Sequence, residues 1–317
     1  MPVVRIRWLA AAAAILAAAA SAGCGFGPGE GSGGEATLTV TRDYGAEPLL
    51  EAVAPDPPES ETVIRLLDRE AEIATRFGGG FVHSIDGVKG ELAGGRRHDW
   101  FFFVDGIESS RGAAEVAVRG GDRIWWDYRD WTDALRTPAV VGSWPEPFAQ
   151  ASAGAEQAPV KVVCAGARGP CDEAAARLAA EGVDASVASS PAEDSQSGTS
   201  LRLLVGPWSE VRRDPTAALL AEGPETSGVF AHFARGSGGW QLVGLDPHAE
   251  EVDRLGPGAG IVAALRKGED PPTWVVAGVD APGVAAAVEL LDADSLANRY
   301  AVAVDGEEAI RLPVETD

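Results

Sequence analysis

From Thr37 to Thr41 apolar and polar positions alternate, with Leu38 and Val40 on one side and Thr37, Thr39 and Thr41 on the other. A period of two marks a strand with one face in a core. From Thr62 the period changes. Val63, Ile64, Leu66, Leu67 and Ile73 recur at helical spacing, Thr62 is suited to cap the first turn, and Gly78-Gly79-Gly80 offers a stop. Two further runs, Gly79-Gly80-Phe81-Val82-His83-Ser84-Ile85 and Asp99-Trp100-Phe101-Phe102-Phe103-Val104, end on Asp86-Gly87 and Asp105-Gly106. Asp-Gly suits the two left-handed positions of a tight hairpin turn. A third, Ile124-Trp125-Trp126, follows Gly120-Gly121-Asp122. The pattern over residues 37–144 predicts an α+β unit, one helix packed across a small mixed sheet.

Beyond Pro159 the pattern alternates strand and helix. Strands are expected at Val160 to Cys164, Val183 to Ser189 and Leu201 to Val205, with a helix from Asp172, its cap, to Ala180. Gly228 to Phe233 and Trp240 to Leu245 predict a hairpin around Gly236-Ser237-Gly238-Gly239. A helix at Ile261 to Arg266, a strand at Thr273 to Val279, a helix at Gly283 to Leu291 and a strand at Tyr300 to Val304 complete the expectation. Residues 160–317 therefore predict an α/β domain with a mostly parallel or mixed sheet, its faces covered by helices. Between the two units, residues 145–159 are rich in Ala, Gly, Gln and Pro and predict a linker.

The first 36 residues alter the picture of where the chain works. Arg5 and Arg7 precede an apolar run from Trp8 to Ala20. That run is too short for a membrane span of roughly 20 residues and predicts a signal peptide over residues 1–23. Ser21-Ala22-Gly23-Cys24 resembles the lipobox of bacterial lipoproteins, which implies a lipid on Cys24 and a glycine-rich tether over residues 24–36. The alternative is a secretory signal cleaved nearby, with an incidental cysteine. The chain has three cysteines. Lipidation of Cys24 leaves Cys164 and Cys171, which flank a turn-rich loop and, in an oxidising compartment, predict a structural disulfide.

Charge and motifs narrow the function. With 317 residues and a net charge of −22, the chain is too acidic to expect a nucleic acid partner. His83, His98, His232 and His248 are scattered, and no His-Glu-x-x-His, Gly-x-Ser-x-Gly or phosphate-loop motif occurs. Gly256-Pro257-Gly258-Ala259-Gly260 departs from a dinucleotide fingerprint in the place of its third glycine and in its polar upstream segment. No metal, cofactor or catalytic residue is expected, and the chain reads as no enzyme.

The order of Thr37–Gly45, Gly79–Gly87, Asp99–Gly106 and Gly120–Trp126 resembles the transcobalamin-like C-terminal domain, a β-grasp family catalogued as the domain of unknown function DUF4430. The resemblance implies a β-grasp fold and a binding role rather than a reaction. In transcobalamins this domain covers one face of a corrinoid, but the helical barrel that accompanies it there has no counterpart after Pro159. A flat or corrinoid-like small molecule, or a membrane transporter or other envelope protein, is thus the expected partner. Trp100, Phe101, Phe102, Phe103, Trp125, Trp126, Tyr128 and Trp131 form a dense aromatic cluster. Alternation separates Trp100 and Phe102 from Phe101 and Phe103. By the resemblance, Gly80, Phe81, Asp86, Trp100, Phe102 and Trp126 are the ligand-binding candidates, with the aromatics at an exposed surface. Leu203-Leu204-Val205-Gly206-Pro207 and Trp274 to Ala285 resemble strand-turn-helix units of surface-layer proteins, which supports the alternative of a structural envelope accessory without a ligand.

Overall fold

The computed structural model describes residues 31–150, 157–189 and 198–315; the signal, Cys24 and most of the tether lie outside them. Among the described residues two main sheets and two small ones form a mixed α+β arrangement.

In the first unit β1 (Glu35–Arg42) turns at Asp43-Tyr44-Gly45 into its antiparallel partner β2 (Glu47–Pro55). Helix α1 (Val63–Glu70) follows, its Thr62 Oγ1 accepting the Arg65 N–H at 3.4 Å. Val63, Leu66 and Leu67 bury its apolar face, as the helical spacing predicts. The helix ends earlier than expected. Ala71 is extended, and Ile73 belongs to β3 (Ile73–Arg76), which pairs with β4 (Phe81–Ile85). Ile73 matched the helical period but gains more from pairing opposite Ile85 than from another turn of helix. The glycines therefore make the β3–β4 reversal rather than a helix cap, with Gly78 and Gly79 at φ of 76° and 95°. The short strands β5 (Val88–Lys89) and β6 (Glu91–Ala93) lead into β7 (Arg96–Val104), then β8 (Ile107–Glu108) and β9 (Arg123–Asp130). Asp86-Gly87 and Asp105-Gly106 both hold two successive positive φ values, the turns the sequence predicts. The main sheet runs β2-β1-β9-β7-β6, with β8 also on β7 and β1 parallel to β9.

The second unit is built on β10 (Val160–Cys164), α2 (Arg168–Ala180), β11 (Ala185–Ala188), β12 (Leu201–Pro207) and the short helices α3 (Trp208–Val211) and α4 (Pro224–Ser227). The meander β13 (Ala231–Gly236), β14 (Gly239–Leu245) and β15 (Glu251–Leu255) comes next. It is followed by β16 (Gly260–Leu265), β17 (Thr273–Gly278), α5 (Ala281–Glu289), α6 (Ala293–Leu296), β18 (Ala301–Asp305) and β19 (Glu308–Leu312). The sheet order is β11-β10-β12-β17-β16-β18-β19, parallel up to β17 and antiparallel after it.

Two expectations fail here. The segment Ile261 to Arg266, expected as a helix, is strand β16. All six residues from Gly260 to Leu265 are buried between two strands, and a short, wholly apolar run carries no period to tell strand from helix. Helix α2 starts at Arg168, so Asp172 lies inside it and pairs with Arg168 at 2.7 Å instead of capping. That early start places Cys171 in the helix, where a disulfide joins it to Cys164 at the end of β10 across a Cα separation of 5.9 Å.

The two units share a core. Tyr44, Phe103 and Trp125 from the first unit meet Phe230, Val243, Leu245 and Tyr300 from the second. Phe148, in the segment expected to link them, is buried with its ring 5.1 Å from that of Trp274.

Candidate functional site

Alternation along β7 decides what each aromatic touches. Trp100, Phe102 and Val104 face α1 with Leu38, Val40 and Trp126, while Phe103 and Trp125 face the second unit. Both faces of the sheet are therefore covered around these aromatics of β7 and β9. Trp100, Phe102 and Trp126 are 4%, 8% and 2% exposed, so they do not form the exposed aromatic surface expected of them. Alternation shows which residues share a side, but not which side another element covers.

The buried trio nonetheless reaches one opening. At the edge of β7 a cleft of about 280 Å³ is lined by Gly80, Phe81 and Val82 on one wall and the loop Glu108 to Ala113 on the other. Trp100, Phe101, Phe102 and Trp126 line the rest. Phe81 is 37% exposed, and beyond it Phe77, 88% exposed, meets it edge to face at 6.2 Å. Phe102 and Trp126 stack at 4.8 Å, and the Trp100 indole donates to Val88 O at 2.9 Å. The indole N–H of Trp126 is buried with no partner among the described residues. Such a donor lacks the bond that normally offsets its desolvation.

Five of the six sequence candidates thus meet at the cleft; Asp86 does not. Its carboxylate accepts the Glu72 N–H at 2.8 Å and it occupies a left-handed turn position, so its place is explained by the β4–β5 hairpin and the start of β3. The sequence reading missed the opposite wall. Ser109-Ser110-Arg111-Gly112, directly after an aromatic strand, is a loop signal that could have been read as a rim.

Several other polar groups of the first unit are engaged in packing. Asp127 is buried where the units meet and accepts from Thr41 Oγ1 at 2.6 Å, Gly45 N at 3.0 Å and Tyr300 OH at 2.9 Å. Burial pushes its carboxyl up to about 6, against the pull of those bonds. Arg129 lies over the Phe101 ring at 3.9 Å and donates to Ala134 O at 2.7 Å. Glu108 Oε2 lies 3.5 Å from Arg129 and accepts the Thr137 N–H at 2.7 Å. A second hollow, about 470 Å³, lies beside β1, β2 and β9 where Gly142, Ser143 and Asn298 approach them. Among the described residues no group of three or more His, Cys, Asp and Glu side chains is placed to hold a metal ion. No helix among them is long and apolar enough to cross a membrane.

No curated protein matches the chain. Among solved structures it is similar to a protein of Ruminococcus gnavus ATCC 29149 described as a "putative metal binding protein". The two share 15% identity at a TM-score of 0.24, over 31% of this chain and 97% of that one. Residues 60–130, from just before α1 to the end of β9, match the model of the family described as "Domain of unknown function (DUF4430)", and over that segment the chain carries a domain of this family.

Proposed function

We propose that this chain is a lipid-anchored binding protein of the outer face of a bacterial membrane, taking its ligand at the β7 cleft. The observation that carries the reading is the cleft itself: an opening at the edge of β7 lined by the part-exposed ring of Phe81, against which the exposed Phe77 packs. The strand order β2-β1-β9-β7, with β1 parallel to β9 and α1 across one face, supports a β-grasp unit over residues 37–144. A linker over 145–159 and an α/β unit over 160–317 complete the proposed organisation. The cleft falls just under the usual range of about 300–1,000 Å³ for small-molecule pockets. It suits a small group or a side chain better than an enclosed corrinoid, whose flat face would also need the indoles that here pack under α1. The Cys164–Cys171 bond fits an oxidising compartment. A structural envelope accessory is the second reading, favoured by the burial of Trp100, Phe102, Phe103, Trp125 and Trp126.

Affinity capture from solubilised membranes, with mass spectrometry of retained proteins and small molecules, separates the two readings. Ser110→Trp fills the cleft from an exposed loop position and should leave thermal stability unchanged. A species held by the wild type and lost by the variant is the expected result. Identical retention by both would leave the structural accessory. Anchoring has its own test: Cys24→Ala is expected to move the protein from the membrane to the soluble fraction, and a variant that stays with the membrane would remove the lipid from this reading.

A further inference from the structure

We propose that the β7 cleft takes an extended peptide segment, which pairs as an added strand with the backbone of β7. The inference rests on the cleft being a binding site and names what binds there. Asp105 N–H bonds to Arg123 O, and Trp131 N–H to Arg97 O, so the odd-numbered residues of β7 turn their backbone groups toward β9. The even-numbered residues turn theirs the other way. There β6 pairs with His98 and β8 with Val104, leaving a gap between them.

Four backbone groups face that gap. Trp100 N–H is capped by the Asp99 carboxylate at 2.9 Å, and Phe102 O accepts Ser109 N–H at 3.1 Å. The other two, Trp100 C=O and Phe102 N–H, have no partner among the described residues. An acceptor and a donor two residues apart on one strand edge are the groups that a single residue of a parallel strand satisfies. Its N–H would meet Trp100 C=O and its C=O would meet Phe102 N–H. Edge strands are normally paired, covered or blocked by charge. Here Asp99 blocks one end and the loop from Glu108 the other, so the free length is confined to the cleft.

The walls suit the side chains of such a strand. Phe81 and Val82 stand on one side and Trp126 and Phe102 at the base, which favours an apolar residue in the cleft. Arg111 lines the same opening and has no ion-pair partner among the described residues, so an acidic side chain beside the apolar one is favoured too. This is strand addition: main-chain bonds give attachment and the cleft selects the side chain.

The test begins with a library of random linear decapeptides selected on the full chain and counter-selected on Ser110→Trp. Selected peptides are expected to contain an apolar residue next to an acidic one and to bind with micromolar Kd. N-methylation of each peptide amide in turn should weaken binding roughly tenfold or more at one position, the one facing Trp100 C=O, and little at its two neighbours. Hydrogen exchange at the Phe102 amide should slow by about tenfold or more in the complex, and Arg111→Glu should weaken acidic peptides. Selected peptides that tolerate every N-methyl group, or that leave Phe102 exchange unchanged, would overturn strand pairing. If no peptide is enriched while membrane capture still yields a species sensitive to Ser110→Trp, the peptide inference falls and the binding reading stands. If neither experiment finds a ligand, both fall.

Discussion

Trp125→Ala is expected to destabilise the chain by about 3–5 kcal/mol, the usual cost of removing a large buried aromatic. Trp125 is one of the buried side chains through which the two units meet. Its ring centroid lies 5.4 Å from those of Phe103 and Tyr300, and its indole donates to Thr41 Oγ1 at 2.8 Å. Thr41 in turn donates to Asp127, which also holds Tyr300. Two glycines make room for the indole. A Cβ on Gly45 would stand 2.8 Å from its Cζ2, and one on Gly142 would stand 2.7 Å from its Cζ3. With alanine the cavity cannot refill cheaply, because the backbones around it already approach as closely as glycine allows. Urea denaturation followed by circular dichroism measures the loss. Its second readout is the slope of the transition, which should fall if the units begin to unfold separately. A loss below about 1 kcal/mol would show that the shared core does not couple the two sheets.

Asp105→Asn is expected to stabilise the chain, and by more as the pH rises from 5 to 8. Asp105 is fully buried at the turn after β7, with one carboxyl oxygen accepting the Arg123 N–H at 3.0 Å and the other unpartnered. Burial pushes its carboxyl up to about 8, and the nearby Asp122 and Glu146 carboxylates push the same way against Arg123 and the Arg123 N–H. An unfolded Asp titrates near 3.9. Between those values the folded chain holds a proton that the unfolded chain lacks. The contribution is therefore full below about pH 4 and declines as the pH rises through about 8, by roughly 1.4 kcal/mol per unit. Asparagine keeps an acceptor for Arg123 N–H, places an amide where the proton sits, and tolerates the φ of 53° that the turn requires. Urea midpoints of the two proteins at pH 5, 6.5 and 8 should move apart steadily. Parallel curves would mean that the carboxyl titrates normally in the folded chain.

The elements legible in the sequence are those fixed by neighbours along the chain. Alternation at Thr37 to Thr41 marks β1, Thr62 marks the start of α1, and Asp86-Gly87 and Asp105-Gly106 mark hairpins, because each depends on backbone preferences within a few residues. The pairing of Cys164 with Cys171 was legible for a similar reason, since their loop is short. Ile73 and the run Ile261 to Arg266 were misread because their local pattern is compatible with either structure; pairing with Ile85 settled the first, and enclosure between β17 and β18 the second.

The site divides in the same way. The sequence singled out Gly80, Phe81, Trp100, Phe102 and Trp126 from the resemblance, and these five line one cleft. What it left open was exposure. Period-two alternation assigns side chains to two faces but contains nothing about what packs on each, and here α1 covers one face and Tyr300 with Phe230 the other. Only the tertiary arrangement leaves β7 without a neighbour strand between β6 and β8, and sets Arg111 and the Glu108 to Ala113 loop opposite Phe81. Strand edges and clefts arise from contacts between residues distant in sequence, and such contacts leave no periodic trace in the chain.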